Sequence, residues 1–177
     1  MPTIESIPIP PDTFLSRYAD AGAYADCYVT NIALPVSLAQ LVETFYTTGI
    51  FRVERLILRW AAGRPSTDGD VQKLAEGTSD QFAAWIVESR GANQILLSDF
   101  SGRTRSWLMV EPISQDGFVG ARLYFGSAVT PIINKKSGEK RMGAGFQLLL
   151  GFHKLYSRTL LYAARARLAR ALRVTRR

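Results

Sequence analysis

Between Gln81 and Thr130 the turn signals Gly91-Ala92, Ser101-Gly102 and Asp116-Gly117 cut the chain into strand-like runs with no helix-length stretch between them. The runs are Gln81–Arg90, Asn93–Phe100, Arg103–Ile113 and Phe118–Thr130. Turns this short join antiparallel neighbours, because a parallel crossover needs about a dozen residues or more. The spacing therefore predicts an antiparallel meander. A long helix follows, from about Met142 to about Arg173. Phe146, Leu149, Leu150, His153, Ser157, Leu160, Leu161, Ala164 and Leu168 recur on one stripe, and Lys154, Arg158 and Arg165 lie off it. An antiparallel sheet and one long amphipathic helix bury each other's apolar faces, which predicts an α+β fold.

The segments upstream of the meander are shorter. Pro8, Pro10 and Pro11 make residues 1–13 an extended lead-in, and Phe14 to Tyr18 reads as a short helical turn. Ala23 to Ile32 alternates as a strand. Pro35 and Ser37 open a helix through Phe45, with Leu38, Leu41, Val42 and Phe45 on one side. A second helix is expected over Ile50 to Ala62 and a short one over Asp70 to Glu76. Asn134 to Lys140 reads as a polar loop.

With 177 residues the chain suits a single domain, spanning 1–177 with the lead-in 1–13 and a basic tail 165–177. One cysteine, Cys27, and one histidine, His153, make neither an internal disulfide nor a zinc site, so no metal is expected. No GxGxxG follows a strand, and no cofactor is expected. Residues 1–13 lack the apolar core of a signal peptide, and the longest apolar run, Leu148 to Phe152, is far short of the ~20 residues of a membrane span. These features predict a cytoplasmic protein. All 15 acidic groups precede residue 140, and 10 of the 22 basic groups follow residue 139. The tail, with Arg165, Arg167, Arg170, Arg173, Arg176 and Arg177, has three readings. It solvates a helix C-terminus; it touches anionic lipid while Leu161, Leu168 and Leu172 insert; or it neutralises phosphates. No recognised DNA- or RNA-binding motif supports the last, so nucleic acid is not an expected partner.

The order strand, two helices, antiparallel strands and long C-terminal helix resembles the helix-grip fold of the START and polyketide-cyclase (SRPBCC) superfamily. In that fold a curved sheet grips the last helix around a cavity. The strand Arg122 to Pro131 (RLYFGSAVTP) and the helix Leu148 to Leu161 (LLLGFHKLYSRTLL) look like a bacterial branch of it. The resemblance brings no agreed catalytic residue set, and the superfamily hosts binding proteins and enzymes alike.

Two-residue turns fix register and so sort side chains by face. The expected face A holds Ala84, Ile86, Glu88, Ile95, Leu97, Asp99, Thr104, Ser106, Leu108, Val110, Ala121, Leu123, Phe125, Ser127 and Val129. Face B holds Trp85, Val87, Leu96, Phe100, Arg105, Trp107, Met109, Glu111, Arg122 and Tyr124, with Glu111 opposite Arg122. Face A is the more aliphatic and is assigned to the helix; one β-bulge would reverse part of this sorting. The small residues Ala84, Ser106, Ala121 and Ser127 predict a cavity beneath the helix. Glu88, Asp99, Ser106, Ser127, His153 and Ser157 are the polar groups expected to reach it. The leading expectation is a module that binds an apolar or amphipathic small molecule there. The alternatives are a cyclase- or isomerase-type enzyme with His153 paired to Glu88 or Asp99, and an interaction protein with a filled core. No GxSxG supports a serine-nucleophile triad. Trp85 and Trp107 on face B are expected either under the N-terminal segment Ile4 to Phe14 or in a homodimer interface.

Overall fold

The computed structural model describes residues 3–53, 66–115, 118–133, 140–141 and 146–174. The sheet has seven antiparallel strands in the order β1-β2-β7-β6-β5-β4-β3. These are β1 (Glu5–Ser6), β2 (Tyr24–Ile32), β3 (Gln81–Phe82), β4 (Trp85–Arg90), β5 (Gln94–Asp99), β6 (Thr104–Gln115) and β7 (Phe118–Val129). The expected meander forms its middle. The early strand β2 joins it by pairing with the last long strand, Asp26 opposite Ser127 and Tyr28 opposite Phe125. A separate short pair joins β8 (Ile132–Ile133) to β9 (Lys140–Arg141).

The helices are α1 (Ser16–Asp20), α2 (Leu38–Tyr46), α3 (Asp68–Glu76) and α4 (Phe146–Val174). A capping box opens α2: the Ser37 hydroxyl accepts from the Gln40 N–H while the Gln40 side chain accepts from the Ser37 N–H. The same device, built from Thr67 and Asp70, starts α3 earlier than the expected Asp70. Gly77 ends α3 in the left-handed region at φ 76°, and its N–H returns to the Leu74 carbonyl. Residues 49–53 are helical; the rest of the helix expected over Ile50 to Ala62 lies outside the described residues, as do most of the 134–140 loop and the Asp116-Gly117 turn. None of the helices among the described residues is long and apolar enough to cross a membrane.

One face of the sheet carries the main core. Ile95, Leu97, Leu108, Val110, Ala121, Leu123 and Phe125 pack there against Leu160, Leu161, Ala164 and Leu168 of α4 and against α2 and α3. This is face A as expected for β5, β6 and β7. Strand β4 departs from it. Its turn falls one residue later, with Arg90 opposite Ile95, and a bulge between Val87 and Ser89 inserts Glu88 as an extra residue. That one insertion swaps the parity of the strand. Trp85 and Val87 therefore turn toward the helices, Ile86 is 44% exposed, and Glu88 lies on the opposite face.

Face B is not an open surface. The lead-in and α1 cover it, with Ile7, Ile9, Phe14, Leu15 and Tyr18 packed on Cys27, Val29, Leu96, Trp107, Met109 and Tyr124. Trp107 is fully buried and its indole N–H donates to Gln94 Oε1 at 2.9 Å. Trp85 and Trp107 thus face opposite ways, and the paired Trp85/Trp107 surface expected for a homodimer does not exist. Glu111 does stand opposite Arg122 in register, although its carboxylate accepts from Tyr124 and Arg122 donates to Asn31.

Leu15 reaches the centre of face B because Gly126 leaves room for it. A Cβ at Gly126 would lie 2.5 Å from Leu15 Cδ2, 2.9 Å from the Asp26 carbonyl oxygen and 3.0 Å from Trp107 Cε3. Gly126→Ala should cost about 1–3 kcal/mol through overpacking and Leu15→Ala about 2–5 kcal/mol through a cavity. Urea denaturation should show the double variant losing less than the sum, because Leu15→Ala removes one of the clashes. Strict additivity would contradict this account.

Candidate functional site

The chemistry of the helix-facing side begins with Asp26. Strand alternation points Tyr24, Asp26 and Tyr28 toward α4, and the antiparallel register lines Asp26, Ser127 and Ser106 across β2, β7 and β6. A buried carboxylate needs partners, and Asp26 has several. Ser127 Oγ–H donates to its Oδ1 at 2.6 Å. Tyr24 and Tyr28 hydroxyls donate to Oδ2 at 3.1 and 3.4 Å, and His153 Nε2 stands 3.6 Å from Oδ2. His153 Nε2 also lies 2.7 Å from Ser127 Oγ. Since Ser127 directs its proton to Asp26, its oxygen accepts from His153 Nε2–H.

This arrangement has electrostatic consequences. Burial raises the Asp26 carboxyl, but the His153 imidazole and the Ser127 and Tyr24 hydroxyls outweigh it and hold the group below its ordinary 3.8. Burial and the Asp26 charge push Tyr24 well up and Tyr28 to about 12. They also push the buried Cys27 thiol to about 12, so it is not a reactive thiolate. Although Asp, His and Ser meet, the order is wrong for a nucleophilic triad. There the histidine removes the serine proton; in this site the serine proton already points at the carboxylate.

Beside this cluster lies a cavity of about 140 Å³ between the sheet, the end of α2, residues 49–53 and α4. Phe45, Phe51, Phe125 and Leu160 form apolar walls, and Tyr156 also lines it. Ser106, Ser127, His153 and Ser157 also line it, so four of the sequence-derived candidates meet at one place. Their states differ. Ser106 Oγ shares a 2.8 Å hydrogen bond with Tyr46 Oη, and Ser127 is held by Asp26 and His153. Ser157 is 0% exposed and its hydroxyl has no hydrogen-bond partner among the described residues. Trp85, a partly buried residue that also lines the cavity, has its indole Nε1 buried and likewise without a hydrogen-bond partner among the described residues.

The other two candidates sit elsewhere. Glu88, on the far face, accepts from Tyr18, Arg17 and Arg105, the last at 2.8 Å. Burial raises its carboxyl, and the Tyr18 hydroxyl and Arg105 more than offset this, so it stays below the ordinary carboxylate range. Asp99 caps the β5–β6 turn, accepting from Ser101 Oγ and the Arg103 and Thr104 N–H groups at 2.8–3.2 Å. Neither carboxylate reaches His153. The bulge explains Glu88, and ordinary Asx-turn chemistry explains Asp99. Sequence sorting missed Asp26 because β2 pairs with a strand far along the chain. It missed Trp85 because of the same bulge.

Lys154 and Arg158 point to water, as the stripe predicts. Leu161 and Leu168 are buried against the sheet and cannot insert into a bilayer. Arg165 donates to the Asn31 carbonyl and Arg167 to Thr47, tying α4 to the ends of β2 and α2. The side chain of Leu172 and the last arginines lie outside the described residues. Two wider surface grooves, of about 320 and 520 Å³, lie along β1 and β2, the second between the edge of β2 at Tyr24, Asp26 and Tyr28 and Lys154 and Arg158 of α4. The first is lined by Asn31, Arg122 and Tyr124, which already have partners. No protein-family model matches this chain, and no curated protein sequence matches it.

A depressed folded pKa stabilises the native state above the unfolded value and loses that stabilisation as pH falls through the folded value. Stability should therefore drop as pH is lowered from about 3.8, the ordinary value of Asp26. Asp26→Asn should cost about 1–3 kcal/mol at neutral pH and flatten that acid limb, leaving the share due to Glu88. Urea melts at stepped pH check this; an unchanged acid limb in Asp26→Asn would show that the carboxylate is not a stabilising partner.

Proposed function

We propose that the sheet and α4 form a helix-grip of the START and polyketide-cyclase type and that the chain is a binding module for a small, mainly apolar molecule held between them. The observation that carries this reading is the cavity of about 140 Å³ with aromatic and aliphatic walls. Protein interiors are normally close-packed, and the serines at 106, 127 and 157 leave space that larger side chains would fill. Apolar cavities of roughly 150 Å³ take up a benzene-sized molecule. Its small volume favours a compact ligand over a long lipid, since sites for drug-sized molecules run to about 300 Å³ and more.

Binding is favoured over catalysis by the state of the polar groups. An acid–base pair of His153 with Glu88 or Asp99 is not assembled, and the one carboxylate beside His153 is saturated by internal donors. His153 Nε2 is engaged with Ser127. Of the other ionisable side chains that line the cavity, the Arg105 guanidinium is held by Glu88 on the far face.

Benzene as a generic probe should raise the melting temperature of the wild-type protein by a few degrees at saturation, through preferential binding to the native state. Ser157→Leu, which fills the cavity, should keep the far-ultraviolet circular dichroism spectrum and lose the shift. Native mass spectrometry of the freshly purified protein should show a small bound mass that Ser157→Leu lacks. A wild-type protein that neither carries a ligand nor responds to any apolar probe would favour a filled-core interaction protein.

A further inference from the structure

Trp85 Nε1 and Ser157 Oγ are the two buried side-chain polar atoms without a hydrogen-bond partner among the described residues, and both belong to residues lining the same cavity. They come from opposite walls, β4 of the sheet and α4 above it. Leaving a buried donor unpaired costs about 1–3 kcal/mol, so native proteins rarely keep such atoms. An indole N–H can only donate, whereas a serine hydroxyl donates or accepts. A ligand that satisfies both must therefore present an acceptor.

The charges near the cavity limit that acceptor further. Arg105 contributes to the lining, but its guanidinium is committed on the far face, to Glu88 at 2.8 Å, to the Gly102 carbonyl and over the Tyr18 ring. His153 stands against the Asp26 carboxylate. Among the described lining residues no cation is left to balance an anion, and a carboxylate ligand would be placed near the buried Asp26 charge. A cationic ligand fares no better, because Asp26 is already occupied by Ser127, Tyr24, Tyr28 and His153.

Resting on the reading of this cavity as a ligand site, we infer that its ligand is a neutral, ring-sized molecule with a single carbonyl or ether oxygen. The oxygen is held by Trp85 Nε1–H and Ser157 Oγ–H, and the apolar body lies against Phe45, Phe51 and Phe125. Volume sets the size, the two donors set the polarity, and the committed charges set the neutrality.

The test compares cyclohexanone, methylcyclohexane and cyclohexanecarboxylate, which have similar bulk and differ in the acceptor and its charge. Affinities come from thermal shift and from titration followed by ¹H–¹⁵N correlation spectra, where Trp85→Phe assigns the Trp85 indole signal. The ketone should bind at least about tenfold more tightly than the hydrocarbon, as one well-made hydrogen bond provides. It should also move the Trp85 indole N–H downfield, and the carboxylate should not bind. Trp85→Phe and Ser157→Ala should each erode the ketone preference and leave hydrocarbon binding in place. Ser157→Ala should not destabilise the ligand-free protein, since it deletes an unpaired hydroxyl. Equal affinity for ketone and hydrocarbon overturns this inference and leaves the small-molecule reading standing. Tightest binding of the carboxylate overturns the neutrality. Failure of every probe to bind overturns both readings.

Discussion

The buried carboxylate of Asp26 is the constraint around which the helix-facing side is arranged. A charge between a sheet and a helix is costly unless donors surround it, and these donors come from three elements. Tyr24 and Tyr28 flank it on β2, Ser127 reaches it across the β2–β7 pair, and His153 descends from α4. The register and the helix orientation are thereby tied to one another. Slipping β2 by one residue would carry Asp26 to the other face and strand His153 and Ser127. Rotating α4 would break the His153 contact and lift Ser157, one turn further on, away from the cavity. Leu160, Leu161, Ala164 and Leu168 then continue the same stripe into the apolar core.

The cavity persists because its walls are pinned on several sides. The Tyr46–Ser106 hydrogen bond fixes the end of α2 to β6, and Arg167 ties α4 to Thr47 just beyond it. On the far face, Leu15 inserts over Gly126, beneath the point where Ser127 turns toward Asp26. The sheet is therefore held between two packed layers. A small void can survive between rigid elements where it would collapse between mobile ones. Function, on this account, follows from a polar clamp that leaves an apolar space beside it with two donors unanswered.

Much of this was legible in the sequence. Turn signals at Ser101-Gly102 and Asp116-Gly117 set the correct registers of the β5–β6 and β6–β7 pairs, and the stripe on α4 placed Ser157 inside and Lys154 outside. Local rules suffice for neighbours in the chain. They failed where a long-range pairing or an irregularity decided the outcome. Asp26 gained its role from a partner about a hundred residues away, a relation that no local pattern encodes. The bulge at Glu88 exchanged the roles of Glu88 and Trp85, removing an expected carboxylate from the site and adding an unexpected donor. A bulge depends on one inserted residue and carries no strong composition signal, so both errors share one cause.

The most direct measurement of the central claim is a crystal structure of the protein under xenon pressure. Xenon occupies dry apolar cavities and scatters strongly enough to mark them. The account predicts a xenon site bounded by Phe45, Phe125 and Ser157, with His153 Nε2 still hydrogen-bonded to Ser127 and Asp26 behind it. A crystal in which side chains fill that space, and xenon is found elsewhere or not at all, would contradict it.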